Sequence, residues 1–176
     1  MRETVHSLNE RAIELSDTGD YTGAIACFRR AITVERNNHL LFFNLGITYF
    51  HAGDLARAKN ALLQARRLKG DESETLGMLA IVCKELGEKE DALLYCAEAL
   101  GADSRNPTVW NTIGAIHFSA EAYGDACEAF EQAVTLNPYY HDALFNLRDT
   151  YDELGNRPGV EACEKQLAAL RGAADV

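Results

Sequence analysis

Cysteine and histidine are the side chains of this sequence that could hold a metal ion or act as nucleophiles, and there are five of each. The cysteines are odd in number and form no Cys-x-x-Cys pair, which disfavours both a zinc site and a disulfide framework. The histidines belong to no recognisable metal-binding motif. We therefore expect neither a metal nor a cofactor, and we expect the cysteines to be reduced thiols that pack as small apolar residues.

Catalytic motifs are also absent from the sequence. Each glycine stands alone in a predicted turn or helix contact, so no glycine-rich loop can cradle a phosphate, and no Gly-x-Ser-x-Gly pattern presents a serine nucleophile. Four acidic residues lie close together near the C-terminus: Asp142, Asp149, Asp152 and Glu153. We interpret them as solvated charges of a terminal repeat rather than as a cation site. The sequence predicts a protein that is not an enzyme.

The charge of the chain excludes two classes of partner. The formal net charge is −10, whereas nucleic-acid phosphates and anionic membrane surfaces both attract basic proteins. No apolar run is long enough to span a bilayer, so we expect no membrane insertion. The first residues lack the apolar core of a secretion signal, which favours a cytoplasmic location.

The sequence repeats itself with a step of 34 residues, and the register is kept along the whole chain. One column of equivalent positions holds predicted turn residues: Gly19, Gly53, Gly87, Glu121 and Gly155. Two further columns are almost entirely alanine: Ala24, Ala58, Ala92, Ala126 and Val160, and Ala31, Ala65, Ala99, Ala133 and Leu167. Repeats of this length are typical of stacked supersecondary units.

Each unit is predicted to contain two helices with a turn between them. Apolar and small residues recur at helical spacing on both sides of the turn, as in Phe42, Leu45, Gly46 and Tyr49. Glycine suits the turn because it adopts positive φ without strain. The helices must approach closely where small residues recur, and we expect Gly46 and Gly114 to face Ala58 and Ala126 across their hairpins. The acidic or amide residues after the turn are expected to cap the second helix: Asp20, Asp54 and Asn156.

The repeat resembles the tetratricopeptide repeat family, whose pattern is W-x2-L-G-x2-Y, A-x3-F, A and P. The fourth unit carries it most fully, in Trp110, Ile113, Gly114, Ala126, Phe130, Ala133 and Pro138. This resemblance implies an all-α, right-handed α-solenoid of five helix–turn–helix repeats, forming a single domain over residues 1–176. The units are residues 5–38, 39–72, 73–106, 107–140 and 141–174.

The last unit departs from the pattern. Arg148 stands where the other units carry alanine or glycine. Glu164 stands where the other units carry a large apolar residue or cysteine. A buried carboxylate without a partner would be costly. We therefore expect Glu164 to face solvent on the outer side of the terminal helix.

The resemblance also implies where a ligand binds, because arrays of this family line a concave groove with their first helices. Transferring the family's groove positions one by one predicts a peptide-binding surface of twelve residues: Leu40, Phe43, Asn44, Ile47, Phe50, Met78, Ile81, Asn111, Thr112, Phe118, Asn146 and Asp149. The middle of this surface is apolar, as binding surfaces often are. Its asparagines, together with Asn9, offer donors and acceptors for the backbone of an extended peptide.

The partner expected from these residues is a protein or peptide with an apolar anchor and a basic flank toward the last repeat. Repeat three carries Glu74 and Met78 where members that clamp a carboxylate carry basic residues, which disfavours an acidic chaperone tail. The aromatic rings could instead pack between neighbouring first helices, or the groove could hold the terminal helix of another copy.

Three functions stay open at this point. The first is an interaction module or scaffold that binds a partner peptide or helix. The second is a self-assembling homo-oligomeric scaffold. The third is a non-catalytic regulatory domain of a larger enzyme.

Overall fold

The computed structural model describes residues 4–70 and 72–174, and all regular structure in this part of the chain is α-helical. The helices are α1 (Val5–Asp17), α2 (Tyr21–Val34), α3 (His39–His51), α4 (Leu55–Lys69), α5 (Ser73–Glu85), α6 (Lys89–Ala102), α7 (Pro107–Ser119), α8 (Tyr123–Leu136), α9 (His141–Glu153) and α10 (Arg157–Ala174). Every odd-numbered helix begins at the residue where a predicted unit begins. The predicted all-α class is confirmed. None of the helices in the described ranges is both long and apolar enough to cross a membrane.

Two compact units make up the chain, Met1–Glu98 and Ala99–Val176, and their boundary lies inside α6. We call them the N-terminal unit and the C-terminal unit. In the N-terminal unit α3 packs against both α2 and α4, and in the C-terminal unit α9 packs against both α8 and α10. A first helix thus contacts the second helix of its own pair and that of the preceding pair, as repeat proteins require. The assignment of residues 1–176 to one domain stays a prediction.

Glycine allows the two helices of a pair to approach closely in both units. A Cβ atom added at Gly46 would lie 2.7 Å from Cγ of Leu62, and one added at Gly114 would lie 2.6 Å from Cδ1 of Phe130. The predicted partners were therefore partly wrong. The nearest atoms belong to the large side chains of the second helix, and the carbonyl oxygen of Ala58 follows at 3.4 Å from the Gly46 position.

The turns between paired helices have the backbone conformation expected from the glycine column. Gly19, Gly53, Gly87 and Gly155 all have positive φ, between 67° and 85°. Glu121 occupies the same column and has a φ of 59°. Only glycine adopts this left-handed conformation without a steric penalty, so the turn between α7 and α8 is strained by its side chain.

The predicted capping residues all accept hydrogen bonds at the start of a second helix. Asp20 accepts from the amide of Gly23 at 2.9 Å, and Asp54 accepts from that of Arg57 at 3.1 Å. Asn156 accepts from the amide of Gly159 at 3.2 Å. Each cap satisfies a backbone donor that has no partner within its helix.

The terminal pair, α9 and α10, has the polar outer side that the sequence predicts. Glu164 is exposed on α10, which confirms the expectation for this carboxylate. Arg148 is half-buried and lies over the ring of Phe145, with its guanidinium carbon 3.9 Å from the ring centre. The long arginine side chain therefore turns along the surface of α9 instead of separating the two helices.

The strained turn gives a stability prediction. Replacing Glu121 by glycine removes the steric cost of positive φ, which is about 1–2 kcal/mol, and adds the smaller entropic cost of glycine, about 0.5–1 kcal/mol. We expect Glu121→Gly to raise the free energy of unfolding in urea by about 0.5–1 kcal/mol.

The matched control is Glu128→Gly, because Glu128 is also exposed but lies inside α8. This change should lower the free energy of unfolding by about 1 kcal/mol. Equal destabilisation by both substitutions would show that the turn at Glu121 is not strained.

Candidate functional site

The first-helix surface of the N-terminal unit carries an apolar strip on α3. Leu40 is 54% exposed, and Phe43, Ile47 and Phe50 are half-buried. The rings of Phe43 and Phe50 also pack against the core of their unit. Both side chains thus pack against the core and keep part of their surface accessible.

The neighbouring first helices extend this strip on both sides. Met78 and Ile81 on α5 are half-buried, and Met78 packs against the same core cluster. Ile13 on α1 is 39% exposed. Apolar side chains from three first helices are therefore accessible in the N-terminal unit.

Asparagines pair with one another between adjacent first helices. Nδ2 of Asn44 donates to Oδ1 of Asn9 at 3.4 Å, and Nδ2 of Asn146 donates to Oδ1 of Asn111 at 3.0 Å. Both pairs join residues that are 35 positions apart. Asn44 and Asn146 each donate to the residue immediately before the equivalent position in the preceding repeat. Simple alignment of the 34-residue columns does not reveal this pairing.

The pairing changes the expected role of the asparagines without removing it. In each pair one amide donates one hydrogen and the other uses one acceptor site. The carboxamide oxygens of Asn44 and Asn146 can still accept a hydrogen bond, and the amino groups of Asn9 and Asn111 can still donate. The pairing holds these groups in a fixed orientation at the surface.

Thr112 is the site residue that the prediction placed wrongly. It is 4% exposed, and its hydroxyl donates to the carbonyl oxygen of Thr108 at 2.8 Å. Because the hydroxyl is satisfied within its own helix, threonine tolerates burial at this position. Its side chain therefore does not line the first-helix surface of the C-terminal unit.

A small pocket lies on the first-helix surface of the C-terminal unit. Its volume is about 100 Å³, and it is lined by Ala115, Phe118, Phe130, Asn146 and Asp149. Three of these five residues were predicted from the sequence. Ala115 also occupies a groove position transferred from the family, whereas Phe130 belongs to a second helix and was assigned to the core.

The missing side chain at Gly114 explains how Phe130 reaches this pocket. A Cβ atom at position 114 would lie within 2.6 Å of two atoms of the ring. Glycine therefore leaves room for the ring of Phe130 to lie directly against α7. The coincidence of glycine and phenylalanine in the fourth unit is the sequence signal that could have identified the pocket.

Asp149 is paired with a cation, the guanidinium of Arg148. Nε and Nη2 of Arg148 donate to Oδ1 of Asp149 at 3.0 and 2.6 Å. The side chain of Asp142 is 78% exposed, and Asp152 and Glu153 are exposed as well. The acidic character of α9 therefore resides mainly in these three residues.

One cluster in the described part of the chain has the composition of a metal site. Ligand atoms of Cys83, Glu88 and Asp91 lie within 4.8 Å of one another. The ammonium of Lys59, however, hydrogen-bonds to Glu88 and lies 3.5 Å from a carboxylate oxygen of Asp91. The cluster thus already holds a positive charge beside both carboxylates, and the bond from Lys59 keeps the pKa of Glu88 below its usual value.

The thiols have pKa values that suit packing rather than chemistry. Burial raises the pKa of Cys83 to about 11 and that of Cys96 to about 12. Both side chains are therefore protonated at neutral pH and are poor nucleophiles and ligands. All five cysteines are free thiols, of which Cys127 alone is half-buried rather than buried. Four of the five thiols are thus buried in the fold, as expected.

Comparison with known proteins identifies the repeat. The family model described as "Tetratricopeptide repeat" matches residues 9–72, 52–107 and 78–141. The chain belongs to the tetratricopeptide repeat family. Repeats of this family are generally non-catalytic scaffolds for protein interaction.

Individual relatives are distant. Protein FlbA of Caulobacter vibrioides is 24% identical over 161 residues, which cover 91% of this chain and 26% of FlbA. The chain spans about a quarter of the length of FlbA and of the next curated relative, a repeat protein of Methanocaldococcus jannaschii.

Solved structures share the fold. The crystal structure of MamA has a TM-score of 0.75 at 20% identity, covering 93% of this chain and 96% of MamA. The crystal structure of the Cut9–Hcn1 hetero-tetramer of the APC/C has a TM-score of 0.85 at 17% identity, covering 95% of this chain and 34% of the matched one. These likenesses confirm an all-α solenoid fold.

The asparagine pairs give a prediction for double-mutant cycles. Asn111→Ala and Asn146→Ala should each lower the free energy of unfolding, and the double variant should lose less than the sum. The shared hydrogen bond corresponds to a coupling of about 0.5–1.5 kcal/mol.

The same cycle at Asn9 and Asn44 is the control, because its donor–acceptor distance is longer, 3.4 Å rather than 3.0 Å. We expect a smaller coupling there. Additive effects at Asn111 and Asn146, within about 0.3 kcal/mol, would mean that the pair does not stabilise the C-terminal unit.

Proposed function

We propose that this chain is an interaction module that binds a segment of a partner polypeptide on its first-helix surfaces. The observation that carries the proposal is the apolar strip of α3, where Leu40 is exposed and Phe43, Ile47 and Phe50 stay accessible. The packing of the repeats uses other residues of the same helix, since Leu41 and Leu45 are buried against the neighbouring helices. Accessible apolar residues beyond the needs of packing are typical of binding surfaces.

The asparagines support binding of an extended backbone. Their remaining donors and acceptors lie beside the apolar side chains, and an amide can bond to the main chain of any sequence. The expected guest therefore combines backbone hydrogen bonds with one or more apolar anchors. Its basic flank is proposed from the acidic residues of α9 and from the net charge of −10.

The comparisons are compatible with this role. Cut9, whose fold matches this chain, is part of a hetero-tetramer with Hcn1. Binding of another protein is thus known for a structure of this fold, although the partner of this chain is a separate proposal. We propose that the chain itself is non-catalytic. Homo-oligomeric assembly, the regulatory role within a larger enzyme and the cytoplasmic location stay predictions.

The proposal is tested with peptides selected from a random-peptide display library against the wild-type protein. The double variant Phe43→Asp and Ile47→Asp places two carboxylates in the apolar strip. We expect it to bind the selected peptides at least about tenfold more weakly, a change of about 1.4 kcal/mol in binding free energy.

The control variant is Leu94→Asp, because Leu94 is 56% exposed and lies on α6, which is a second helix. It should bind the peptides as the wild type does. Circular dichroism establishes that both variants keep their helices. Full binding by the helical double variant would refute the proposed surface.

A further inference from the structure

The pocket of the C-terminal unit has the size of one aliphatic side chain. Its volume is about 100 Å³, whereas an engineered protein cavity that holds benzene measures about 150 Å³. Ala115, Phe118 and Phe130 supply its apolar lining, and α7, α8 and α9 each contribute at least one lining residue. The volume of the pocket therefore suits the branched chain of valine or leucine.

The rim of the pocket is polar, and both of its polar residues lie on α9. Nδ2 of Asn146 is fixed by its bond to Asn111, so its oxygen can accept the backbone amide of a guest residue. Asp149 is held in place by Arg148. The two side chains are three positions apart and so share one side of the helix.

Beyond the pocket, the same side of α9 is strongly acidic in both directions along the helix. Asp142 lies two turns before Asp149, and Asp152 and Glu153 lie one turn after it. All three are exposed. The C-terminal unit as a whole has twelve Asp and Glu against five Lys and Arg, a formal charge of −7 out of the −10 of the chain. A guest segment leaving the pocket along α9 therefore encounters a negative potential on either side.

We infer that the pocket lined by Phe118, Asn146 and Asp149 binds a valine or leucine side chain whose sequence neighbours are lysine or arginine. The inference rests on the proposed function, since it names the partner chemistry for one part of the proposed surface. The aliphatic chain fills the pocket, the carboxamide of Asn146 accepts a backbone hydrogen bond, and the acidic residues of α9 attract the flanking cations.

The probe for this site is N-acetyl-Lys-Leu-Lys-amide, titrated into the isotope-labelled full chain while amide NMR shifts are recorded. We expect saturable shifts at Ala115, Phe118 and Asn146. Two matched peptides separate the contributions. Replacing the central leucine by serine removes the anchor, and replacing both lysines by glutamate reverses the flanking charge. Each should bind at least about tenfold more weakly, which corresponds to about 1.4 kcal/mol.

The protein side is tested with Ala115→Leu, whose added carbons occupy the pocket, and with the charge variant Asp152→Asn with Glu153→Gln. The first should abolish saturation by the leucine peptide. The second should weaken binding and reduce its dependence on salt. Equal binding of the serine peptide, equal binding of the glutamate peptide, or unchanged binding by Ala115→Leu would each overturn the inference. The peptide series needs no altered protein, so a variant that fails to fold does not prevent the test.

Failure of this inference and failure of the proposed function have different signatures. If the tripeptide does not bind while selected peptides still require Phe43 and Ile47, only the assignment of the C-terminal pocket is wrong. If the selected peptides bind independently of Phe43 and Ile47 while the tripeptide saturates its pocket, the inference stands, and the wider surface is wrong.

Discussion

The close approach of the two helices in each pair is the constraint on which the rest of the structure depends. At Gly46 and Gly114 even one added carbon would lie less than 3 Å from a side chain of the facing helix. The alanines of the second helix, such as Ala58 and Ala126, are fully buried. Small residues at this contact let the larger apolar side chains interdigitate, and such packing leaves little room for adjustment. The 34-residue period thus reflects a close contact that recurs from pair to pair, except in the terminal pair, where Arg148 replaces the small residue.

The binding surfaces follow from the same packing. Helices that pack closely through one side present their other side to solvent, so the first helices of each unit carry accessible positions at regular spacing. In the C-terminal unit packing and binding depend on the same residue. The glycine at position 114 lets the ring of Phe130 lie against α7, where this ring also lines the pocket. The asparagine pairs add a polar contact between neighbouring first helices, and they orient amide groups beside the apolar residues.

Features that depend on spacing along the chain could be predicted from the sequence, and features that depend on contacts between repeats could not. The start of every first helix and the caps at Asp20, Asp54 and Asn156 follow from local rules of helix formation. Thr112 was placed on the surface because it occupies a groove position transferred from the family, but it is buried and its hydroxyl is satisfied by the carbonyl of Thr108. The ion pair of Arg148 with its neighbour was also missed, since a column of small residues gives no information about where a long side chain turns.

The most direct test of the close-packing constraint is a comparison of Ala58→Leu with Ala56→Leu by urea unfolding. Ala58 is fully buried at the contact between α3 and α4, whereas Ala56 is exposed on the same helix. The account predicts that Ala58→Leu lowers the free energy of unfolding by about 1–3 kcal/mol through overpacking. It predicts that Ala56→Leu changes it by less than about 0.5 kcal/mol. If leucine at position 58 were tolerated as well as leucine at position 56, close approach would not be what sets the repeat.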